Sequence, residues 1–157
     1  MRRVLDTIRQ KLSATVWGRG AVSSEDARVA RMLRRTLPEF YVACWAFGGL
    51  GVLGGVPALR QTFGEDYAVV LAAAIATAGL VSLVGLALPA RMWRVEQWAV
   101  AMLTCLILLY AGAVALAGFT TGDLGRAGVG AAVYAMSALP RWRITDIARD
   151  RRIHGWT

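Results

Sequence analysis

The sequence predicts an all-α membrane protein, a bundle of four transmembrane helices preceded by cytoplasmic amphipathic helices. Three stretches, 40–59, 67–90 and 97–122, each run for 20 residues or more without an ionised side chain, and 127–140 is a shorter stretch of the same kind. A helix needs about 20 apolar residues to cross a bilayer core about 30 Å thick. Composition agrees with this class, since 57% of the residues are hydrophobic and only 18% are charged.

These stretches divide the chain into three parts. Residues 1–38 are expected to form cytoplasmic or interfacial amphipathic helices, 39–140 the transmembrane domain, and 141–157 a basic cytoplasmic tail. The length outside the predicted spans is too small for a soluble domain of the usual size, about 50 residues or more. The four crossings are placed at about 39–59, 67–89, 97–118 and 124–140.

Two helices are predicted before the first span. Residues 1–17 place Leu5, Ile8 and Leu12 on one apolar face, with basic residues off that face. Such a helix suits the cytoplasmic leaflet and equally suits a partner protein. A second helix follows over about 24–37, and Pro38 marks its boundary with the first span because the residue before a proline disfavours helix.

The distribution of arginine predicts that both ends of the chain lie in the cytoplasm. Arg and Lys near span ends concentrate on the cytoplasmic side of a membrane. With four crossings, all of the 18 basic residues except Arg60 and Arg126 fall on one side. We therefore expect a multi-pass protein of the inner (cytoplasmic) membrane. Its net charge of +8 favours anionic lipid headgroups as a partner, and no nucleic acid is expected.

Aromatic and basic side chains near the span ends are candidates for membrane-interface anchors. Trp and Tyr favour the headgroup level of a bilayer, and Arg contacts the phosphates there. The candidate anchors are Trp45, Trp93, Arg94, Trp98, Arg141 and Trp142.

Every predicted span also carries a pair of small residues four positions apart. This spacing lets two helices approach closely. Contacts between copies of the chain in a homo-oligomer and packing within one chain would both use such pairs, and the sequence leaves the two alternatives open. The pairs are Gly51 and Gly55, Ala74 and Ala78, Ala111 and Ala115, and Gly128 and Ala132.

The sequence carries no recognisable catalytic, cofactor-binding or metal-binding pattern. His154 is the sole histidine, the cysteines Cys44 and Cys105 fall inside spans, and no set of His, Cys and carboxylates has ligand spacing. We therefore expect neither an enzyme nor a cofactor. Ion transport would need a charge at mid-depth, and the nearest acid, Glu39, lies at the mouth of the first span.

The turn between the second and third spans reads "LPARMWRVEQWA". Its charged residues, Arg91, Arg94 and Glu96, are expected to pair with each other or with headgroup phosphates. This arrangement would fix the turn on the cytoplasmic side.

Several segments resemble small four-span membrane proteins of actinobacterial phages, some of which are regarded as holins. They are the basic start "SSEDARVARMLRRTL", the outer turn "TFGEDYA", the inner turn quoted above and the tail "RWRITDIARDRR". Basic residues are almost all Arg, which is typical of a high-GC genome such as that of an actinobacterium or its phage. The resemblance implies assembly in the host inner membrane, for lysis or for altering the host surface, and implies no catalytic residue.

Three functions are consistent with these observations. The first is a holin-like protein that self-associates in the membrane. The second is a membrane anchor or scaffold, in which residues 1–37 and the basic tail hold a cytoplasmic protein partner. The third is a transporter or channel subunit whose polar path is completed by a partner, with Glu39 as its acid.

Overall fold

The computed structural model describes residue 29 and residues 31–154, and in this part of the chain every regular element is helical. The helix predicted over 1–17 and the start of the helix predicted over 24–37 lie outside the described residues. The six α-helices are α1 Leu37–Gly54, α2 Pro57–Phe63, α3 Glu65–Ala87, α4 Pro89–Thr121, α5 Leu124–Met136 and α6 Ala138–His154.

Within the described chain, three helical segments are long and apolar enough to cross a membrane. They are Met32–Gly54, Glu65–Ala87 and Met92–Thr121. The predicted class, an all-helical protein with membrane-spanning segments, is confirmed at this level. The 13 residues of α5 rise only about 20 Å, so a fourth crossing stays a prediction.

The chain enters α1 through a π-helical turn rather than through a break. In this turn, Met32–Thr36, the Leu37 N–H donates to the carbonyl oxygen of Met32, five residues back. Pro38, which has no N–H to donate, lies in the first turn of α1. A helix boundary was expected at Pro38. The helix instead continues, because the wider turn moves the preceding carbonyl groups away from the proline ring.

The turn between α3 and α4 is much shorter than the sequence predicted. Leu88 is the single non-helical residue between them, and α4 already begins at Pro89. The segment predicted as a loop is therefore the first part of α4, bent at Met92, where φ is −121° and ψ is 17°.

The turn between α4 and α5 is fixed by two residues. Gly122 adopts a left-handed conformation with φ of 71°, which closes α4 and is readily accessible only to glycine. Asp123 then caps α5, because its carboxylate accepts a hydrogen bond from the Arg126 N–H at 3.0 Å. The chain thereby reverses and runs back along α4.

The helices pack in chain order, α1 on α3, α3 on α4 and α4 on α5, while α6 packs on α4. Glycine allows the close approaches. Gly79 lies against the Tyr41 carbonyl, and Gly130 lies against the backbone and side chain of Ala115. The main core comprises Leu33, Leu37, Tyr41, Ile75, Ala78, Leu86, Val100, Leu103 and Ile107.

The outer faces of the spans are apolar and exposed. Leu53 is 86% exposed, and Val70, Leu116 and Phe119 are also largely exposed. Soluble monomers rarely present such continuous apolar surface, whereas lipid tails would cover it. The exposed faces therefore agree with the lengths of the three spans in indicating a membrane protein.

Candidate functional site

Charged side chains are buried where α6 crosses the first turns of α4. Glu96 is 0% exposed and Arg143 is 3% exposed. The Nε of Arg143 donates to one carboxylate oxygen of Glu96 at 2.7 Å, and Nη2 donates to the other at 3.1 Å. Nη1 donates to Asp146, one turn further along α6. A bidentate pair of this kind is among the strongest polar contacts that side chains make.

Helix α3 completes the enclosure of Glu96. A Cβ built on Gly85 would lie 2.9 Å from the Cα of Glu96, closer than real Cβ atoms come. Glycine at position 85 therefore lets the backbone of α3 rest directly on Glu96. The carboxylate is shielded from solvent and lipid by α3 on one side and by α6 on the other.

Two buried hydroxyl groups belong to the same region. Tyr41 of α1 and Ser82 of α3 are fully buried, and neither hydroxyl has a hydrogen-bond partner in the described part of the chain. The Tyr41 hydroxyl lies within electrostatic range of Glu96 and Arg143. Ser82 lies one helical turn before Gly85 on α3.

The environment keeps Arg143 charged. Burial alone would lower the pKa of this guanidinium, because charged groups are poorly solvated away from water. The charges of Glu96 and Asp146, together with the hydrogen bonds to Glu96, outweigh burial and raise the pKa of Arg143 above its ordinary value. Arg143 therefore stays protonated, and its hydrogen bonds to Glu96 link α6 to α4.

Metal chemistry has no visible support in the described residues. No group of three His, Cys, Asp or Glu side chains there is arranged to hold a metal ion. The arrangement of Glu96, Arg143 and Asp146 can hold two helices together, and this is the role that its geometry supports.

The structure corrects the expected role of Glu96. We expected it to pair with Arg91 or Arg94, or to face headgroups, but it points inward to Arg143. The reason is that positions 94 and 96 lie on a helix, where two residues turn the side chain by about 200°. Arg94 is exposed, and its guanidinium lies 5.2 Å from the centre of the Trp93 ring.

A signal for this buried pair was present in the sequence. Trp93, Glu96, Val100 and Leu103 follow the spacing of one helix face, and all four are buried. If the spacing of the apolar face in the third span is continued towards the N-terminus, Glu96 falls on the buried face of the helix. Nothing in the sequence indicated its partner, because Arg143 lies 47 positions away.

The predicted anchors occupy different environments. Trp98 is 78% exposed and Trp45 is also exposed, while Trp93 is buried and Trp142 packs partly buried against the core. Arg141 is exposed, donates to the Ser137 carbonyl at 3.2 Å and lies 5.2 Å from the centre of the Tyr134 ring. Lipid anchoring by these residues stays a prediction.

The predicted small-residue pairs are also used differently. Gly51 lies against Val56 and Ala72, and Gly55 ends α1 with φ of 74°. Ala111 and Ala115 both contact Gly130 within the chain. Ala78 is buried and Ala74 is half-buried, whereas Gly128 and Ala132 are exposed on α5.

Glu39, the acid considered for transport, lies outside the bundle. It is exposed, and one carboxylate oxygen accepts a hydrogen bond from the Nε of Arg35 at 3.1 Å. This is an ordinary ion pair one turn apart on a helix surface.

An apolar groove lies between α1 and α5, with α3 and α4 as its floor. Phe40 and Phe47 of α1, Ile107 of α4 and Val133 of α5 are among the residues that line it, and its volume is about 270 Å³. One turn of a helix occupies about 400–600 Å³ when side chains are included. The groove can accept side chains or part of a lipid tail, and it is too small for a whole helix.

Comparison with known proteins adds no family, because no protein-family model matches the chain and neither the curated proteins nor the solved structures contain a match. Fold and site together define a class. The protein is all-helical in its described part, has three helices able to cross a membrane, and joins its last helix to the bundle by a buried ion pair.

Proposed function

We propose that this protein is a holin-like protein of the cytoplasmic membrane, which self-associates and permeabilises the membrane in host lysis. It crosses the membrane four times and keeps both ends in the cytoplasm. Support comes from the three apolar helices, from the exposed apolar faces of the bundle, and from the resemblance to four-span phage proteins described above.

The path of the chain after α4 supports a fourth crossing. Gly130 of α5 packs against Ala115 of α4, and further on Arg143 of α6 reaches Glu96 near the start of α4. Residues 124–140 therefore run antiparallel to α4 along about half of its length. If α4 crosses the bilayer, this segment returns across it, and the basic C-terminal helix lies on the cytoplasmic side with the other arginines.

The observation that carries self-association is the outer face of α5. No described atom outside its own helix comes within 4 Å of a Cβ built on Gly128. Among the predicted small-residue pairs of the other spans, Gly51 and Ala111 are already in contact within the chain. The exposed small face of α5, hereafter the α5 face, comprises Gly125, Gly128, Ala132 and Ala135.

A face of this kind promotes lateral association in lipid. Small side chains let two helix backbones approach closely, and van der Waals packing then stabilises the contact. Copies that cluster through the α5 face would exclude lipid between them and open a lesion. Exposed arginines such as Arg94 and Arg141 would meanwhile contact anionic headgroups.

Induced expression in a bacterial host tests the proposal. A dye that reports membrane potential and a cytosolic enzyme are followed after induction. We expect loss of potential and release of the enzyme once the protein has accumulated in the membrane. Accumulation to the same level with potential and enzyme both retained would refute the holin-like function.

A second candidate function is a membrane anchor for a cytoplasmic protein partner. The observation that favours it is α6, a basic helix held in one position by the Glu96–Arg143 pair, with Arg141, Thr145 and Arg149 exposed. Affinity purification in mild detergent separates the two candidates. A specific partner that is lost on deletion of residues 1–37, in cells that survive expression, would favour the anchor; recovery of no partner would count against it.

A further inference from the structure

We infer that the Glu96–Arg143 ion pair keeps the fourth crossing in the membrane, because it holds α6 on the cytoplasmic side of the bundle and α5 must then cross the bilayer to reach α6. This inference rests on the proposed four-crossing topology and names the contact that enforces it.

The fourth crossing needs such a contact because its own apolar segment is short. Between Arg126 and Arg141 only residues 127–140 are free of charge, and they rise about 21 Å as a helix. A bilayer core is about 30 Å thick. Gly and Ala make up five of the nine exposed residues of α5, beside Leu124, Val129, Tyr134 and Met136, and such small residues bury little apolar area in lipid. Burial in lipid alone therefore favours this crossing less than it favours the other three.

The ion pair adds a stabilising contact that the short apolar segment lacks. Arg143 lies three residues after Pro140, where the apolar stretch ends, and both of its bonds to Glu96 connect α6 to α4. Moving α6 to the other side of the membrane would break both bonds and uncover the side of Glu96 that α6 shields, so the bidentate contact and the packing of α6 on α4 would both be lost. The bond from Arg143 to Asp146 lies within α6 and would be kept in either arrangement.

Arginine distribution is the competing explanation for a cytoplasmic C-terminus. The two explanations differ for Glu96→Gln. This change removes the negative charge of the ion pair and replaces one of its two acceptor oxygens with an amide NH2 donor. It leaves every arginine in place, and acidic residues contribute little to the charge rule. The charge rule therefore predicts no change in topology, whereas loss of the ion pair predicts that part of the population loses its fourth crossing.

The experiment uses the full chain with a reporter fused after Thr157. One reporter is active only in the periplasm, and a second is fluorescent only in the cytoplasm. We expect the wild-type signal to be cytoplasmic and Glu96→Gln to shift it towards the periplasm. The matched control is Glu39→Gln, which breaks the exposed pair with Arg35 and should not shift the signal. Asp146→Asn should not shift it either.

A charge exchange provides the rescue. The double variant Glu96→Arg with Arg143→Glu can restore the pair and should return the signal to the cytoplasm. Glu96→Gln with normal membrane levels and a fully cytoplasmic signal would overturn the inference. If the Glu96→Gln protein is degraded, the double variant decides. Membrane levels of the double variant restored to those of the wild type support the inference. Levels no higher than those of Glu96→Gln overturn it.

These outcomes are separate from those of the proposed function. If the C-terminus of the wild-type protein lies in the periplasm, the four-crossing topology itself is refuted. Failure to permeabilise the host would refute the holin-like function and leave the reporter result interpretable.

Discussion

Gly48 of α1 lies directly on the backbone of α3, at Ala72. A Cβ added at position 48 would come within 2.5 Å of the Ala72 carbonyl oxygen and within 2.5 Å of the Ala76 nitrogen. Real Cβ atoms do not approach backbone this closely. Glycine at position 48, like Gly79 on α3, thus allows the two helices to lie this close together.

Replacement of this glycine should destabilise the bundle. We expect Gly48→Ala to lower the free energy of unfolding by about 1–3 kcal/mol, because α1 must move away from α3. Gly49→Ala is the matched control, since no described atom outside its own helix lies within 4 Å of its Cβ. Alanine there should be neutral or stabilise by up to about 1 kcal/mol. Reversible unfolding in mixed micelles measures both, and equal effects would contradict the close approach.

The α5 face gives a prediction for self-association. Gly128→Ile together with Ala132→Ile places two branched side chains where helices would approach. Cross-linked oligomers in the membrane and release of a cytosolic enzyme should both fall sharply. The control is Gly112→Ile on α4, an exposed glycine whose Cβ also meets no described atom within 4 Å. If both variants behave like the wild type, copies associate through another surface.

Two arginines in α6 should differ greatly in their effect on stability. Arg143→Met leaves Glu96 buried without this partner, which typically costs about 3–5 kcal/mol. Arg141→Met removes an exposed side chain and should change stability by at most about 1 kcal/mol. Thermal unfolding in detergent compares the two variants, and similar midpoints would mean that the pair contributes little.

The pH dependence of this contribution follows from the pKa of Arg143. Burial lowers that pKa, but the charges of Glu96 and Asp146 raise it by more than burial lowers it. The pKa of Arg143 is therefore above the ordinary value for arginine. A pKa raised by folding gives stability that is complete below the ordinary pKa and is lost only as the pH rises through the raised value. The difference in unfolding midpoint between wild type and Arg143→Met should therefore stay constant from neutral pH to about pH 11. A difference that shrinks in this range would contradict the assignment.

Removal of the buried hydroxyls of Tyr41 and Ser82, unlike removal of Arg143, is not expected to lower the stability of the protein. A buried polar group without a hydrogen bond costs about 1–3 kcal/mol. Tyr41→Phe and Ser82→Ala should therefore leave the protein as stable as the wild type or more stable in the same unfolding assay. Destabilisation by either change would show that the hydroxyl makes a hydrogen bond in the membrane-embedded protein.

The helical class and the three long spans were predictable because burial in lipid leaves a direct trace in the sequence. Apolar runs long enough to cross a bilayer occur in few other proteins. The same method placed the start of α4 too late, since it treated charged residues such as Arg91 and Arg94 as a loop. Charged residues continue a helix readily, and Pro89 suits its first turn.

The Glu96–Arg143 pair could not be predicted from runs of apolar residues. In the sequence, Glu96 and Arg143 look like any other charged residue next to a predicted span. Only the packing of α6 on α4 brings them together. The same holds for glycine. The sequence marks Gly51 and Gly128 as equivalent small residues, and only the fold shows that the first is enclosed and the second is open.

The π-helical turn at Met32–Thr36 sets the rotational position of Val29 and Arg31 relative to α1. Such a turn holds about one residue more than an α-helical turn, and one residue corresponds to about 100° of rotation. Deleting a single residue from it would leave α1 unchanged and swing the preceding stretch around the helix axis. Leu33 and Val29 would then leave their places beside the core. One surplus residue thus orients the basic stretch before the first span.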